Sequence, residues 1–366
     1  MIKQLKNFTL NLIAGANVAV VVLMLLVGYS DHLHPGSHPW MSCAGMVFPF
    51  AVLANLLFVP FWVFFSAKRL LIPIIGFALA YVPIHIYLPL HFGQEEAPPG
   101  ALRIVSYNVA GYGGNFKYEH ALDTIMGYFK RVQPDIVCTQ EDMTSKWHNT
   151  QKRYAEVFAY NDTVHVSKPG SHLTNSVGLH TRFPILRRER IDYESKTNGS
   201  VAWFLLIEGD TVIVLNNHLE NTHLSNKDRE SYQKMLKGGV SRDTVKRETT
   251  LLIDKLGEAM VYRSRHADII HQYVEDHRRY PIIVCGDFND TPISYTRHAI
   301  AQGLTDCFVA SGCGLGLSFN RKGFNFRIDH LMCSEHFTPY QCEIDAKIDV
   351  SDHYPLLCWL KMREKP

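Results

Sequence analysis

A chain of 366 residues has room for two or three domains, and 46% hydrophobic with 20% charged residues is an ordinary average. Its 37 Lys and Arg against 35 Asp and Glu leave a formal charge of +2, which lacks the basic excess by which a dedicated nucleic-acid binder attracts phosphate.

The average hides a split near residue 92. Phe8 to Tyr29 carries no charge over 22 residues and Met41 to Phe65 none over 25, and each exceeds the about 20 residues that a helix needs to cross a bilayer. Leu70 to Phe92 is a weaker run, interrupted by Pro73, Pro83, Pro89 and His85, and is read as a third span because membrane helices tolerate proline. Three transmembrane helices are therefore expected at about 8–29, 41–65 and 70–92. Lys3 and Lys6 precede the first run as in a signal peptide, but the run is too long for one and no small-x-small cleavage site follows. Lys68 and Arg69 separate the second and third runs, whereas residues 30–40 hold no Lys or Arg. Basic flanks stay in the cytoplasm, so the N-terminus is expected inside and everything after Phe92 outside. In a bacterium this means the inner membrane, with the remainder in the periplasm or outside the cell. His32, His34 and His38 cluster in the first outer loop; with no fold to fix them, a solvated loop is the default over metal capture.

Residues 93–100, with Gln94-Glu-Glu-Ala-Pro-Pro-Gly100, are polar and turn-rich and read as a linker to a domain at 101–366. Short β-like runs follow at 102–109, 135–140, 176–180, 201–207, 211–215, 281–285, 328–333 and 355–360. Helical patterns lie at about Glu119 to Val132 and from about Asp228 to His277, with a break at Lys237-Gly-Gly239 and an apolar stripe through Leu252, Leu256, Met260 and Val261. Such a mixture predicts a layered α/β sandwich. Eight cysteines form no paired framework; an outer location would allow Cys307 with Cys313, or Cys333 with Cys342, to pair, but spacing does not set connectivity.

Polar residues gather where these strands stop: Asn108, Glu141, Asn216 and His218, Asp287 and Asn289, Asp329, and Asp352 with His353. Singly, each is a turn residue or cap. Together they place carboxylates, carboxamides and imidazoles from six strands at ends that converge on one rim, where a rigid scaffold builds sites. Carboxylates with few histidines and no apposed cysteines make an oxygen-rich site that suits Mg²⁺ or Mn²⁺ better than Zn²⁺. A divalent ion that binds a phosphate oxygen, with an acid-oriented imidazole that takes a proton from water, is an apparatus for hydrolysing phosphate esters.

Two neighbouring stretches have blander readings. Ala110-Gly-Tyr-Gly-Gly-Asn115 lacks the Lys-Ser/Thr ending of a phosphate loop and reads as a rim loop. Ser318 to Arg327 mixes aromatic and basic residues, and its alternation at Phe324, Phe326 and Ile328 reads as a strand with one buried face, with Arg321 and Lys322 as rim contacts.

The set SYNV, QE, NHL, GDFN, RIDH and SDH, in this order over about residues 101–361, resembles the endonuclease/exonuclease/phosphatase superfamily. The resemblance implies a four-layered α/β sandwich, two mixed β-sheets flanked by helices. It also implies roles. Glu141 becomes the principal metal ligand, with Asn108 beside it and Asp352 near the metal or its waters. His353 becomes the general base, held by Asp329. Asp287 and Asn289 orient water and a phosphoryl oxygen, and His218 donates to a non-bridging oxygen as charge builds there. Asn216, Arg182 and Asn175 are secondary candidates for substrate binding. His218 resembles the deoxyribonuclease and sphingomyelinase branches more than the abasic-site enzymes. Asp290 reads as the cap of a helix beginning near Thr291-Pro292.

The expectation is a membrane-anchored, Mg²⁺-dependent phosphodiesterase or phosphatase acting on lipid headgroups or soluble phosphoesters. The alternatives are an extracytoplasmic nuclease acting on nucleic acid and a non-catalytic phosphate-binding pseudoenzyme; the complete polar set argues against the last.

Overall fold

The computed structural model describes residues 2–93, 95–113, 120–143, 150–167, 175–222, 228, 230–231, 234–235, 241–321 and 324–364. Gln94 of the linker, Asn115 of the glycine-rich loop, Glu119, Lys322 and the Lys237-Gly-Gly239 break lie outside the described residues.

The N-terminal region is helical, with α1 (Ile2–Gly28), α2 (Phe48–Phe65), α3 (Leu71–Leu79) and α4 (Tyr81–Tyr87). The helices Ile2–His32 and Ser42–Phe65 are each long and apolar enough to cross a membrane, whereas the third expected span is a helix pair bent by 62°. Pro83 accounts for the bend: it cannot donate to Leu79 O and its ring crowds that carbonyl. The carbonyl instead accepts from Tyr29 Oη at 2.8 Å. Three helices meet at a buried polar relay, where Trp62 Nε1 donates to Asn17 Oδ1 (2.9 Å), Asn17 Nδ2 to Asn55 Oδ1 (2.9 Å) and Asn55 Nδ2 to Pro73 O (3.1 Å). Outward, Phe50, Phe64 and Leu26 are 70%, 82% and 68% exposed, a surface made for apolar surroundings.

The remaining elements are β1 (Leu102–Asn108), α5 (Ala121–Val132), β2 (Ile136–Gln140), α6 (Thr150–Ala155), β3 (Tyr160–His165), β4 (Ser176–Thr181), β5 (Ile185–Ile191), β6 (Gly199–Ile207) and β7 (Asp210–His218). They continue with α7 (Arg242–Asp276), β8 (Ile282–Asp287), α8 (Tyr295–Ile300), β9 (Thr305–Asp306), α9 (Cys307–Ser311), β10 (Phe319–Arg321), β11 (Phe324–Phe326), β12 (Asp329–Cys333), β13 (Phe337–Ile344) and β14 (Leu356–Met362). Two six-stranded sheets form, in the orders β13-β14-β1-β2-β4-β3 and β5-β6-β7-β8-β12-β9, with β10-β11 as a separate hairpin. Both sheets are mixed, since β1 pairs with β2 and β7 with β8 in parallel while their other neighbours run antiparallel.

Successive strand side chains point to opposite faces. In β1, Leu102 and Ile104 enter the core between the sheets while Val105 and Tyr107 pack with Ile125 and Phe129 of α5. In β8, Ile283 and Cys285 face the inter-sheet core while Ile282 and Val284 meet Ala267, Ile270 and Val274 of α7. The result is a helix–sheet–sheet–helix sandwich. The same alternation carries Asn108, Asp287, His218 and Asp329 onto the inter-sheet faces, at the end where the apolar core stops.

The helical region docks directly on this sandwich. Ile293 joins the core of Met24, Val27 and Phe48, Leu90 bridges to Cys313, and Arg327 donates to Leu315 O and Ile86 O at 3.1 and 2.5 Å. All eight cysteines are free thiols, and Cys307 lies 3.7 Å from Cys333 between sulfurs, so neither pairing that an outer location would allow is formed.

Candidate active site

The site assembles around the Asp287 carboxylate at the end of β8. Its Oδ1 accepts from Asn289 N at 2.8 Å and its Oδ2 from Asn108 Nδ2 at 3.1 Å. His218 Nε2 and His353 Nε2 each stand 3.6 Å from the same Oδ2. Asn108 Nδ2 also reaches Glu141 Oε1 of its own sheet at 3.4 Å, so the one amide joins Glu141 to Asp287 of the opposite sheet. Glu141 and Asn289 both adopt positive φ, 52° and 54°. Such backbone is unfavourable for residues with a Cβ and persists where the surroundings over-determine it.

Hydrogen-bond donors and acceptors determine the tautomers. Leu219 O can only accept, so Asn198 turns its Nδ2 to it (2.7 Å) and its Oδ1 to Asn175 Nδ2 (2.8 Å). Asn175 Nδ2 therefore donates to His218 Nδ1 at 3.0 Å, and neutral His218 carries its hydrogen on Nε2, toward Asp287. Burial lowers the pKa of His218, outweighing the pull of Asp287, so this neutral donor is the stable form. His353 is the opposite case. Its Nδ1 lies 2.8 Å from Asp329 Oδ2, and although burial acts against a charge there, Asp329 and Asp287 raise its pKa to about 10. The two carboxylates thus stabilise the imidazolium that His353 becomes on accepting a proton.

The carboxylates themselves are held against their preference. Burial, then Asp352, raise the pKa of Glu141; burial raises that of Asp287, with Asp329 adding to it and His353 opposing. Asp329 Oδ1 is buried without a hydrogen-bond partner. Asp352 lies 3.5 Å from Arg321 Nη1. Among the described residues, Asp287, Asp329 and His353 bring ligand atoms within 4.8 Å of one another, and these crowded oxygens with an orphaned acceptor suit a hard divalent cation.

Three expectations are corrected. Arg182 does not reach the site: β4 runs antiparallel to β2, so Arg182 pairs with Asp135 (3.0 Å) at the start of β2, about 20 Å of strand away from Glu141 at its end. Asn216 is fully buried, and its amide donates to Thr139 O and Gly178 O at 2.8 and 2.9 Å, which makes it a staple between the sheets. Asp290 caps no helix, since Ser294 caps α8; Asp290 instead accepts from Arg263 Nε (3.1 Å) and Thr296 Oγ1 (2.8 Å).

Other residues contribute without having been singled out. Ser351 Oγ donates to Asn108 O at 2.7 Å and accepts from His353 N at 3.2 Å, tying both ends of the site; it is the first letter of SDH. Against the effect of burial, His180, Tyr112 and Thr139 hold Asp142 below the usual carboxylate range. Their bonds of 3.1, 2.5 and 2.8 Å anchor the turn that carries Glu141. No local pattern advertises this group, which joins residues far apart in the chain.

Residues 105–353 match the profile of the Endonuclease/Exonuclease/phosphatase family, and residues 10–87 match a domain of unknown function (DUF8431). No curated protein matches the chain. Among solved structures, a mannosyl-6-phosphatase of Bacteroides thetaiotaomicron is 17% identical with a TM-score of 0.52, covering 71% of this chain and all (100%) of its own. The catalytic domain of human Nocturnin with bound sulfate is 16% identical with a TM-score of 0.51, over 72% of this chain and 94% of its own. D. rerio TDP2 complexed with single strand DNA product is 16% identical with a TM-score of 0.51, over 72% and 100%. These share the sandwich, and with the profile match over most of its length the chain belongs to the endonuclease/exonuclease/phosphatase family.

Proposed function

We propose that this protein is a membrane-anchored, Mg²⁺-dependent hydrolase of phosphate esters. The observation that carries the proposal is the Asp287 carboxylate met by Asn108, His218 and His353 from three other strand ends, beside Glu141.

Glu141, Asn108 and Asp352 would hold a divalent cation, whose positive charge would offset that of the phosphate and the charge developing at phosphorus. The protein's groups do the rest. His353, with Nδ1–H on Asp329, turns the Nε2 lone pair into the site and takes a proton from water as its oxygen bonds to phosphorus. The ester P–O bond breaks, its oxygen leaves as the alkoxide and takes a proton from solvent to become the alcohol, and His353 later returns its proton to solvent. Asp287, held by Asn289 N, presents a carboxylate oxygen to orient that water, and Asn289 Nδ2, bonded to Leu219 O at 3.0 Å, keeps this turn in place. His218 donates from Nε2 to a non-bridging oxygen, and Asn175 fixes the tautomer that makes it a donor.

Membrane anchoring is supported by the apolar helices and their exposed faces. Outward placement of the phosphoesterase domain is supported by the helix ends it touches: residues 31–34 and 86–91 contact it, while Lys68 and Arg69 lie at the far end, where Arg69 Nη2 donates to Asn11 Oδ1. The balanced net charge favours lipid headgroups and soluble phosphoesters over nucleic acid.

The test uses the full chain in nanodiscs with p-nitrophenyl phosphate and bis-p-nitrophenyl phosphate, followed by sphingomyelin, phosphoinositides, nucleotides and plasmid DNA. Mg²⁺-dependent turnover abolished by EDTA and by Glu141→Ala is expected. Activity that survives both treatments removes the metal mechanism.

A further inference from the structure

We propose that Asp31, His32 and His298 form a separate binding site for a zinc-class divalent ion, fastening the first loop of the membrane helices to the phosphoesterase domain. Their ligand atoms all lie within 4.8 Å of one another. His298 Nδ1 is 3.5 Å from Asp31 Oδ2, His32 Nε2 is 3.9 Å from Asp31 Oδ1, and the two imidazoles meet edge to face with centroids 4.3 Å apart. Ligands about 2.0–2.2 Å from a tetrahedral zinc stand about 3.3–3.6 Å from one another. A small turn of His32, whose side chain is 58% exposed, completes that geometry.

A second observation points to a ligand. Asp31 is 5% exposed in its side chain, and its Oδ1, which faces His32, is buried with no hydrogen-bond partner. A carboxylate oxygen in that position is costly unless a cation compensates it. Two imidazole nitrogens with one carboxylate oxygen suit Zn²⁺, unlike the oxygen-dominated site at Glu141, and leave a fourth position for water.

The placement gives the ion a structural task. Asp31 and His32 follow α1, whereas His298 lies in α8, the helix after the turn that bears Asp287 and Asn289. His34 Nε2 lies beside Asp268 Oδ2 at 3.2 Å, and Tyr295 Oη donates to Asp268 Oδ1 at 2.8 Å; this second link brackets the same junction. The site stands whether or not the phosphoesterase chemistry is right.

Full-length protein in nanodiscs, stripped with chelator and kept in excess Mg²⁺, is titrated with Zn²⁺ against a chromophoric chelator, and with Co²⁺ by visible absorption. One tight equivalent of Zn²⁺ per chain is expected, with the intense Co²⁺ bands of tetrahedral coordination. His32→Ala and His298→Ala each weaken binding by at least the roughly tenfold seen on losing even an outer-shell partner, while Glu141→Gln leaves it unchanged. Because His32 is exposed, its replacement does not depend on refolding of a core. Absence of tight Zn²⁺ binding, binding indifferent to both histidine variants, or binding lost with Glu141→Gln overturns the proposal.

Discussion

Asp329 Oδ2 lies 2.8 Å from His353 Nδ1, and both groups are buried. A carboxylate here can only accept, so the imidazole keeps its hydrogen on Nδ1 and directs Nε2 to the site. Asp329 is also the foremost charge raising the pKa of His353 toward about 10. Asp329→Asn removes that charge and permits the wrong tautomer. The acid limb of kcat/KM against pH is therefore expected to move to lower pH, while the rate falls by about 10²- to 10⁴-fold. An unchanged acid limb measured in Mg²⁺ would exclude His353 as the titrating base.

Glu141 concerns the cation rather than the proton. Burial and Asp352 both raise its pKa, so in the absence of a cation its charge is a liability to the fold. Glu141→Gln should raise the thermal midpoint in EDTA, abolish the increase that Mg²⁺ gives the parent protein, and eliminate turnover. Calorimetry of parent and variant in EDTA and in Mg²⁺ checks the first two and a turnover assay in Mg²⁺ the third; a variant still stabilised by Mg²⁺ places the ion elsewhere.

The central strands and the site order were legible in the sequence for a single physical reason. Strands such as Ile282–Asp287 and Leu102–Asn108 are buried on both faces and read as apolar runs that end in polar motifs. Tyr160–His165, Ile185–Ile191, Thr305–Asp306 and Phe337–Ile344 passed unnoticed because they are the four sheet edges. Arg187, Arg188 and Arg190 are exposed on one, and Pro339 interrupts another, the features by which edges avoid further pairing. At the site, motif order identified the strand ends but not side-chain commitments. Asn216 stands two residues before His218 on the same face, yet two carbonyls of the opposite sheet claim it. Arg182 was misplaced because the antiparallel sense of β4 comes from pairing, not from local pattern.

His266 gives the fold a sensitivity to acid remote from the catalytic cluster. Its Nε2 lies 2.7 Å from Glu194 O and its ring stacks on Tyr193 at 4.0 Å. Burial lowers its pKa to about 4 despite that hydrogen bond. Between the ordinary value of about 6.5 and about 4, the unfolded chain binds a proton that the folded one refuses. The contribution is complete above pH 6.5 and is lost as pH falls toward 4, to a total on the order of 3 kcal/mol. His266→Gln, which retains a donor for Glu194 O, should flatten this part of the stability curve, measured as thermal midpoints from pH 7.5 to 4.5. Parallel curves for parent and variant would assign the acid sensitivity to other groups.

Gly286 tests how tightly backbone and chemistry are joined in GDFN. Its φ is 132°, and a Cβ there would sit 2.0 Å from Asn217 O and 2.7 Å from Asn217 N. Asn217 is its partner in the parallel ladder of β7 and β8, and His330 its partner in β12. Alanine at 286 has to part β7 from β8 as well as adopt a backbone that L-residues avoid. Strain and overpacking together are expected to cost about 2–5 kcal/mol. The loss in catalysis should be larger than the loss in folded fraction, because the next residue on each parted strand is Asp287 or His218, and an error of about 1 Å at reacting groups costs roughly 10²-fold. Gly286→Ala compared with the parent at a temperature where both are folded, by kcat/KM and by urea unfolding, separates the two effects. A variant that is destabilised but fully active would show that the Asp287–His218 spacing tolerates movement and that the orientation assigned to Asp287 is wrong.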